Sequence, residues 1–498
     1  MKEVIGWWKA LRERVVASET APDAHALMRS AREALEKHEW PDGTRAVIAR
    51  LHERGGQAYL VGGTVRDVLL GRRGDPILDI ATDLEPDEIM RRFTRVEPIG
   101  LRHGTVLVFE GDLRAECTTF RTEGAYADAR RPDHVTFTRD PIADLARRDL
   151  TVNAIAWDPV HAVLLDPYAG TLDLARGVLR AVGDPVERFR EDALRPLRVA
   201  RLAAVLDMEV EPKTRAALAA VIDRAPLIAW ERVGQELRRL LAAPLPSVGI
   251  ELLRESGLLA LWLPELADGY GVIQNRHHAY DVYEHSLRTC DAAPAGKPRV
   301  RWAALLHDLG KPQTREIRLG DATFYQHEVV GAAIADRVLE RLRHPHDERA
   351  AIVHLVREHM FGYREEWSDA ALRRWLKKVG IDAVADLFDL RIADYLGNGL
   401  KRGFPSDLEA MRARIERLIE ESHALEVAGL EVDGNDVMRV LGVAPGREVG
   451  EALEALLEEV LEDPARNRRD VLLARLDERA RERTPAPARD AGEEPSSP

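Results

Sequence analysis

The sequence predicts an α/β head near the N-terminus, followed by a long all-helical body. Between Tyr59 and Asp166, short runs of β-forming residues alternate with turns and short helices. From about Val182 to Arg483, apolar residues instead recur at the 3.6-residue spacing of amphipathic helices. Aromatic residues make up only 5% of the chain, which argues against an all-β sandwich.

The chain of 498 residues is too long for one ordinary core, so two to four domains are expected. Proline and glycine break the early helical pattern, and the final segment is rich in Pro, Ser and Glu. The predicted segments are a helical N-terminal extension (1–40), the α/β head (41–182), a helical neck and body (183–275), a second helical domain (276–400), a C-terminal helical region (401–483) and a disordered tail (484–498).

Composition narrows the class of protein. Apolar residues make up 45% and charged residues 32% of the chain, as in globular proteins. The longest apolar runs are too short to span a membrane, and no signal peptide is visible. Cys117 and Cys290 cannot form a disulfide framework or a thiolate metal site. We therefore expect a cytoplasmic protein with no membrane partner.

Positive charge is concentrated in one short part of an acidic chain. The net charge is −13, which argues against indiscriminate binding to nucleic acid. A local basic patch could still bind an RNA substrate in a fixed position. A solvated helix face would give the same cluster of arginines. The clustered arginines are Arg188, Arg190, Arg195, Arg198 and Arg201.

A double glycine follows the first β-rich run, in Leu60-Val61-Gly62-Gly63-Thr64-Val65-Arg66-Asp67. Glycines at a strand-to-helix junction let backbone N–H groups approach a phosphate closely. Arg66 could add a charged donor to the same phosphate. Alone this motif is weak, because a Gly-Gly turn is most often only a turn.

Carboxylates on two later strands strengthen the interpretation. Asp79 lies in Leu78-Asp79-Ile80-Ala81-Thr82, and Glu116 lies in Arg114-Ala115-Glu116-Cys117-Thr118. Phosphoryl transfer with two metal ions needs such carboxylates on one side of a sheet. Two further motifs follow in order, Arg147-Arg148-Asp149-Leu150-Thr151-Val152-Asn153-Ala154 and Glu191-Asp192-Ala193-Leu194-Arg195.

In this order, the motifs resemble those of the bacterial-type (class II) CCA-adding tRNA nucleotidyltransferase and poly(A) polymerase family. The resemblance is good over residues 55–245 and looser elsewhere. It implies a nucleotidyltransferase head with a polymerase-β-like mixed sheet. It also implies addition of C, A or both to tRNA 3′ ends without a nucleic-acid template, from CTP and ATP, with release of pyrophosphate.

The resemblance assigns a role to each matching residue. It implies that Asp79 and Glu116 bind Mg²⁺ and that the double glycine and Arg66 hold the triphosphate. The segment around Asp149 would bind the ribose. The full set of implied nucleotide-binding residues is Gly62, Gly63, Arg66, Arg148, Asp149, Asn153, Asp192, Arg195 and Arg198.

Asp192 and Arg195 look like the protein template that pairs with the incoming base. Cytosine and adenine both offer an amino donor beside a ring-nitrogen acceptor, which a carboxylate and a guanidinium can match. At i and i+3 on one helix, the two side chains would face the same way. The alternative is an ordinary salt bridge. Pro196 follows directly and is expected to bend that helix.

The metal motif departs from the family pattern of Asp-x-Asp. Ile77 stands where the first aspartate is expected, two residues before Asp79. Asp75 is the nearest substitute, and Pro76 could turn the chain to bring it back. Three alternatives stay open: Asp75 replaces the lost ligand, the enzyme works weakly with Asp79 and Glu116, or the head only binds RNA.

The polar segment from Glu123 to Arg131 corresponds to a mobile loop that helps to switch base choice in the family. A solvated connector is equally compatible with its sequence.

Histidines and aspartates are distributed over the rear helices. His307-Asp308-Leu309-Gly310-Lys311-Pro312 follows an apolar helix, with His285 upstream and Asp394 downstream. This pattern resembles the HD phosphohydrolase superfamily, so the segment 276–400 is identified as an HD domain. The resemblance implies that His285, His307, Asp308 and Asp394 bind a divalent metal ion that activates water.

Other rear residues receive secondary assignments. His327 and His359 fit the extra positions of dinuclear or substrate-binding HD proteins, and Lys311 could contact a phosphate. His354 is expected to be structural. Two rivals to the transferase hypothesis follow: a phosphohydrolase that works only through the HD domain, and a non-catalytic RNA-binding protein.

Overall fold

The computed structural model describes residues 24–123, 135–362, 367–403, 405–421 and 427–483. Most of the predicted N-terminal extension, the base-switching loop and the predicted tail therefore lie outside the described residues.

A mixed sheet forms the centre of the head. Its strands are β1 (Ala58–Val61), β2 (Ile77–Thr82), β3 (Val96–Gly100), β4 (Thr105–Glu110), β5 (Leu113–Thr119), β8 (Ala156–Asp158) and β9 (Val163–Leu165), while β6 (Arg121–Glu123) and β7 (Val135–Phe137) form a separate pair. The seven strands run in the order β3-β4-β5-β2-β1-β8-β9. Only β2 and β5 are parallel neighbours, because the chain crosses over between them while the other neighbouring pairs are antiparallel.

In the described part of the head, six helices and three 3₁₀ turns accompany the sheet. The helices are α1 (Ala24–Lys37), α2 (Thr44–His52), α3 (Gly63–Leu69), α4 (Pro86–Arg92), α5 (Pro141–Ala146) and α6 (Gly170–Arg176), and the turns are Glu53–Gly55, Leu101–His103 and Thr151–Asn153. The strands and short helices from Ala58 to Leu165 confirm the predicted α/β head. Helix α3 begins directly after Gly62, as the strand-to-helix interpretation of the double glycine requires.

Helices dominate the rest of the chain. The neck contains α7 (Pro185–Glu191), α8 (Arg195–Leu206), α9 (Pro212–Ala217), α10 (Trp230–Leu241), α11 (Pro246–Glu255), α12 (Leu259–Trp262) and α13 (Pro264–Ala267). The rear contains α14 (Val282–Ala292), α15 (Pro298–Leu306), α16 (Lys311–Thr314), α17 (His327–Arg341), α18 (His346–Glu358), α19 (Asp369–Val379) and α20 (Ile381–Gly397). Beyond it lie α21 (Ser406–Glu421), α22 (Gly434–Leu441), α23 (Arg447–Glu462) and α24 (Arg469–Arg483).

The helical prediction needs two small corrections. Strand β11 (Glu209–Val210) pairs in parallel with β10 (Val178–Leu179), which ties the neck to the head. A hairpin of β12 (Glu316–Arg318) and β13 (Asp321–Thr323) interrupts the rear helices. Both pieces are too short for a period-2 pattern to show against the helical background.

One apolar core extends from the head through the neck into the rear helices. It includes Leu27 on α1, Leu197 on α8 and Leu305 on α15. A smaller cluster around Val437 and Leu472 holds the C-terminal helices together. Among the helices that the structure describes, none is both long and apolar enough to cross a membrane.

Candidate active site

Asp79 and Glu116 lie side by side on the two parallel strands. In the register of β2 and β5, their Cα atoms are direct partners, so both side chains project from the same face of the sheet. The backbone N–H of Asp79 donates to Thr64 Oγ1 at 2.9 Å, which fixes the strand against the start of α3. The structure therefore brings the two predicted metal ligands together.

Both carboxyl groups are held in a setting that disfavours negative charge. Burial raises the pKa of Asp79 despite the nearby charge of Arg148. Burial and the charge of Asp79 together raise the pKa of Glu116. Two carboxylates that repel each other in a desolvated place gain most from a shared cation, so their chemistry fits a divalent metal ion.

Asp75 lies near this pair but outside strand β2. Its side chain is exposed, and its Oδ1 accepts the backbone N–H of Ile77 at 2.9 Å. This bond folds the carboxylate back toward the beginning of the strand. The charge of Asp75 is among those that raise the pKa of both Asp79 and Glu116. The aliphatic side chain of Ile77 cannot bind a metal ion.

The double glycine brings the backbone against the site. Gly62 has a φ of +62°, and a Cβ there would lie 3.1 Å from Arg148 Nη1 and 3.4 Å from Asp79 Oδ2. A side chain at this position would therefore be strained and would fill the space between the metal site and Arg148. Arg66 lies on the next turn, where it donates to Asn153 Oδ1 at 2.7 Å and to Asp67.

Asp149 is the buried centre of the ribose-binding segment. Its Oδ1 accepts from Asn153 Nδ2 at 2.9 Å, and its Oδ2 accepts from Arg198 Nε at 2.8 Å. Burial alone would raise the pKa of Asp149, but the charge of Arg198 and these hydrogen bonds hold it well below its usual range. The segment is therefore a fixed network that links the head to α8 of the neck.

These residues line one cleft between the head and the neck, with a volume of about 640 Å³. All nine predicted nucleotide-binding residues and Asp79 lie on its wall. Eight arginines of the described residues line it in a chain of net charge −13, so the cleft is a locally basic site suited to a polyphosphate. These arginines are Arg66, Arg121, Arg147, Arg148, Arg195, Arg198, Arg201 and Arg232.

The two template residues line the cleft but do not share a helix, so that prediction was wrong. Helix α7 ends at Glu191, and α8 begins at Arg195. Asp192 is the extended C-cap residue of α7. Pro196 lies in the first turn of α8, where its missing N–H costs no helical hydrogen bond. Pro196 therefore starts a helix instead of bending one.

Each template residue has its own partners. Asp192 accepts two hydrogen bonds from Arg232, at 3.3 Å to Oδ1 and 2.8 Å to Oδ2. Arg195 donates to Glu191 and to the carbonyl oxygen of Arg147, the latter at 3.0 Å. Each side chain is oriented by hydrogen bonds to other residues, so neither template residue depends on the other for its orientation.

Several cleft residues were missed by the sequence analysis. Arg232 lies 40 residues from Asp192, and no local motif connects them. Arg201 was recognised as one of the clustered arginines, but its partner was not: it binds the buried Glu236 at 2.6 Å, and this contact joins the neck helices α8 and α10. Arg147 stands in a motif that the sequence analysis quoted, so the signal for it was present.

The rear helices hold a second cluster. His285, His307, Asp308 and Asp394 are all buried, and their ligand atoms converge. His307 Nε2 lies 3.1 Å from Asp308 Oδ2, and His285 Nε2 lies 3.1 Å from Asp394 Oδ1. On the other side of Asp308, its Oδ1 faces His327 Nε2 at 3.3 Å. The structure thus places the predicted HD residues in one buried group.

The histidines of this cluster are oriented alike. In each, Nδ1 lies against a backbone carbonyl oxygen, at 2.8 Å for His307, 2.8 Å for His327 and 2.6 Å for His359. His285 Nδ1 lies 3.3 Å from the carbonyl oxygen of Gly397. A proton on Nδ1 leaves the Nε2 lone pair free for a metal ion, which is the usual arrangement of metal-binding histidines.

Electrostatics and unpaired atoms fit a metal ion as well. Burial would raise the pKa of Asp308, but the charges of His307 and Lys311 hold it well below its usual range. Burial lowers the pKa of His359 to about 3, so this imidazole stays neutral. Asp308 Oδ1 and His327 Nε2 are buried without a hydrogen-bond partner, as expected of atoms that face an ion.

Two other rear residues take clear positions. Lys311 Nζ donates to Asp308 Oδ2 at 2.6 Å and to Gln274 Oε1 at 2.7 Å, so its ammonium group is engaged inside the cluster. His354 Nε2 lies 2.7 Å from the carbonyl oxygen of Val379, in keeping with the structural role expected of it.

Three family models match this chain. The poly A polymerase head domain matches residues 58–180, a probable RNA and SrmB-binding site of polymerase A matches 207–269, and the HD domain matches 276–399. The metal-dependent chemistry of the head and HD families agrees with the two carboxylate-bearing sites.

Two curated relatives, both CCA-adding enzymes, match different shares of this chain. The CCA-adding enzyme of Geobacillus stearothermophilus is 33% identical over 88% of this chain and 96% of its own length. That of Geobacillus thermodenitrificans is 41% identical, and the match covers 54% of this chain and 63% of that relative.

Solved structures agree on the fold. The CCA-adding enzyme of Bacillus stearothermophilus, solved in complex with CTP, is 30% identical with a TM-score of 0.70, over 89% of this chain and 99% of that one. A Thermotoga maritima CCA-adding enzyme, 21% identical with a TM-score of 0.54, covers 90% of this chain and 97% of that one and shares the fold. By its motifs, its sheet and these likenesses, the chain belongs to the family of bacterial CCA-adding nucleotidyltransferases.

Proposed function

We propose that this protein adds C, A or both to tRNA 3′ ends from CTP and ATP, with release of pyrophosphate. The observation that carries the proposal is the basic cleft, which is lined by Asp79 together with the template residues Asp192 and Arg195. Glu116 is the strand partner of Asp79. A metal-binding carboxylate pair alone fits many phosphoryl transfers. A fixed carboxylate and guanidinium in the same cleft add the means to select a base.

The residues of the cleft divide the work of binding. The backbone of the Gly62 turn and Arg66 face the place of the triphosphate, whose negative charge the surrounding guanidiniums offset. Asp192 accepts from the exocyclic amino group of cytosine or adenine, and Arg195 donates to the ring nitrogen. Uracil and guanine offer the opposite order of donor and acceptor, and would leave these groups unpaired.

Asp79 and Glu116 are proposed to hold Mg²⁺ at the reacting phosphate. When bound, the ion neutralises charge on the triphosphate and aligns it with the RNA 3′-hydroxyl. The protein contributes two carboxylates fixed by strand register, and their partial burial strengthens their attraction for a cation. The cytoplasm, where tRNA and both nucleotides occur, is the proposed compartment.

Incorporation of labelled nucleotides tests the proposal directly. The substrate is tRNA that lacks its last three nucleotides, incubated with Mg²⁺ and with CTP, ATP or both. Incorporation of C alone from CTP, followed by A only when both nucleotides are present, is the expected result. Failure to extend any tRNA end would reject transfer and leave RNA binding or hydrolysis as the function.

Asp75 is proposed as the third carboxylate of the metal site. Asp75→Ala is expected to lower incorporation by about tenfold to a hundredfold and to raise the Mg²⁺ concentration needed for half-maximal rate, because a charged ligand is lost. Measurement of rate against Mg²⁺ concentration checks both effects.

A second substitution makes the Asp75 test specific. Ile77→Asp restores the aspartate that the family has two residues before Asp79, on the same face of β2. In the Asp75→Ala background it is expected to recover the Mg²⁺ affinity. An unchanged Mg²⁺ dependence in Asp75→Ala would instead mean that Asp79 and Glu116 suffice.

Arg232 is proposed to position the template carboxylate. Arg232→Ala removes two charge-assisted hydrogen bonds from Asp192, so kcat/KM for CTP and ATP is expected to fall by about tenfold to a hundredfold. Discrimination against UTP should fall as well, because Asp192 can then turn away from its acceptor position. Kinetics with CTP, ATP and UTP measure both effects.

Arg239→Ala is the matched control for this variant. Arg239 lies on the same helix α10, is mostly exposed and binds Glu236 instead of Asp192. It should leave discrimination against UTP unchanged. If Arg232→Ala lowers the rates for all nucleotides equally, Arg232 supports the fold and not base choice.

We also propose a metal-dependent phosphohydrolase activity for the HD domain. The buried cluster of His285, His307, Asp308 and Asp394 supports it, because four fixed nitrogen and oxygen ligands with free lone pairs suit a water-activating ion. His327 and His359 lie on the second side of Asp308, in position for a further ion or for the substrate. Phosphate esters at RNA ends are the proposed substrates.

A further inference from the structure

A third group of possible metal ligands lies in the head, away from both sites described above. It consists of His52 at the end of α2, Asp158 at the end of β8 and His161 in the turn between β8 and β9. One ligand atom from each residue lies within 4.8 Å of the others. Because β1 and β8 are antiparallel, Asp158 lies at the opposite end of β1 from Gly62 and the nucleotide cleft.

The protein fixes two of the three ligands through their outer atoms. His52 Nδ1 lies 3.0 Å from the carbonyl oxygen of Gly56, so the neutral ring carries its proton there and keeps a lone pair on Nε2. Asp158 Oδ1 accepts the backbone N–H groups of Val160 at 2.9 Å and His161 at 3.2 Å. These bonds leave Asp158 Oδ2 facing His52 and His161.

One imidazole nitrogen from each histidine lies close to Asp158 Oδ2. His52 Nε2 lies 3.0 Å and His161 Nδ1 lies 2.7 Å from Asp158 Oδ2. Bonds of about 2.0–2.1 Å to a zinc ion put neighbouring ligand atoms roughly 3 Å apart, so small movements would seat an ion here. The His52 Nε2 lone pair would repel the carboxylate unless a cation, either a proton or a metal ion, lies between them.

Burial and access also suit a metal site. Asp158 is buried, while the His161 side chain is 58% exposed, so an ion can enter from solvent and keep a water ligand. Two imidazoles and one carboxylate are a ligand set that selects zinc-like ions over Mg²⁺.

We propose that His52, Asp158 and His161 form a zinc-class metal site that ties the end of α2 to the β8–β9 turn. The site is structural, because it lies at the end of the sheet remote from the cleft. Zinc bound there cross-links segments more than a hundred residues apart in sequence, so it should raise the thermal stability of the head.

Zinc counting on the full chain tests the site. Metal-free protein is equilibrated with Zn²⁺ in excess Mg²⁺, which occupies the cleft carboxylates, and bound zinc is measured per chain. His161→Ala and Asp158→Asn are each expected to bind one zinc ion fewer than the unaltered protein. The HD cluster contributes equally to all of them, so the difference isolates the third site.

Two controls complete the experiment. His346→Ala removes an exposed histidine that, like His161, lies near an aspartate, and it should bind as much zinc as the unaltered protein. His161→Ala should retain nucleotide incorporation, which shows that it folds. Equal zinc content in His161→Ala and the unaltered protein would overturn the proposal. The cation between His52 Nε2 and Asp158 Oδ2 would then be a proton.

Discussion

Asp79→Asn is expected to lower incorporation of CTP and ATP into tRNA by about a thousandfold, the largest effect of any single change in the head. The substitution keeps the shape of the side chain and removes its charge. Since metal-ion stabilisation of the transition state is worth several kcal/mol and 1.36 kcal/mol is tenfold in rate, a loss of about this size follows. Single-turnover incorporation on tRNA lacking its last three nucleotides measures it.

The fold should survive this change. Asp79 anchors its strand through its backbone N–H, which the variant retains, and burial disfavours the charged side chain anyway. Asp87→Asn, at an exposed position on α4, is the matched control and should be as active as the unaltered protein. Full incorporation by Asp79→Asn would place the reaction outside this cleft.

The basic cleft shows how a protein of net negative charge can present a site suited to polyphosphates. Fixed acids such as Asp149 and Glu236 hold arginines of the neck in place, with Arg198 and Arg201 as their partners. The guanidiniums are therefore oriented before a nucleotide arrives, which reduces the entropy lost on binding. The chain can carry net negative charge elsewhere and still present one positive site.

The head was predictable from sequence where chemistry depends on neighbours in the chain. Short motifs of a few residues are enough to identify the double glycine, the strand carboxylates and the Arg148 to Asn153 segment. The double glycine, Asp79 and the Arg148 to Asn153 segment all line the same cleft, as the resemblance implied. Asp79 and Glu116 could be placed on strands, but their parallel register needed the fold itself.

Contacts between residues far apart in the chain could not be predicted from the sequence. The pairing of Arg232 with Asp192 joins two helices through tertiary packing, and no periodicity encodes it. The break between α7 and α8 was also missed, since Pro196 was interpreted as a bend within one helix. Proline in a first turn and proline in mid-helix are distinguished only by where the helix starts.

Asp308→Asn is expected to abolish hydrolysis by the HD domain, with a loss of about a thousandfold or more. Asp308 faces both groups of histidines, with Oδ2 toward His307 and Oδ1 toward His327. Its replacement by a neutral amide removes the charge that binds the ion, and metal activation of water is lost with it. Release of nitrophenol from a phosphodiester and a phosphomonoester probe, with Mn²⁺, Ni²⁺ or Mg²⁺, measures the loss.

The same variant separates the two proposed activities. Asp308 lies in the turn between α15 and α16, and it does not line the nucleotide cleft. Asp308→Asn should therefore extend tRNA at the rate of the unaltered protein, whereas Asp79→Asn should hydrolyse the probes normally. Asp347→Asn, at a fully exposed position on α18, controls for loss of an acid in the rear and should affect neither activity. Hydrolysis that persists in Asp308→Asn would mean that the buried histidines bind no catalytic ion. The cluster would then act as a packing element, since its Nδ1 atoms already bind backbone carbonyls of four different turns.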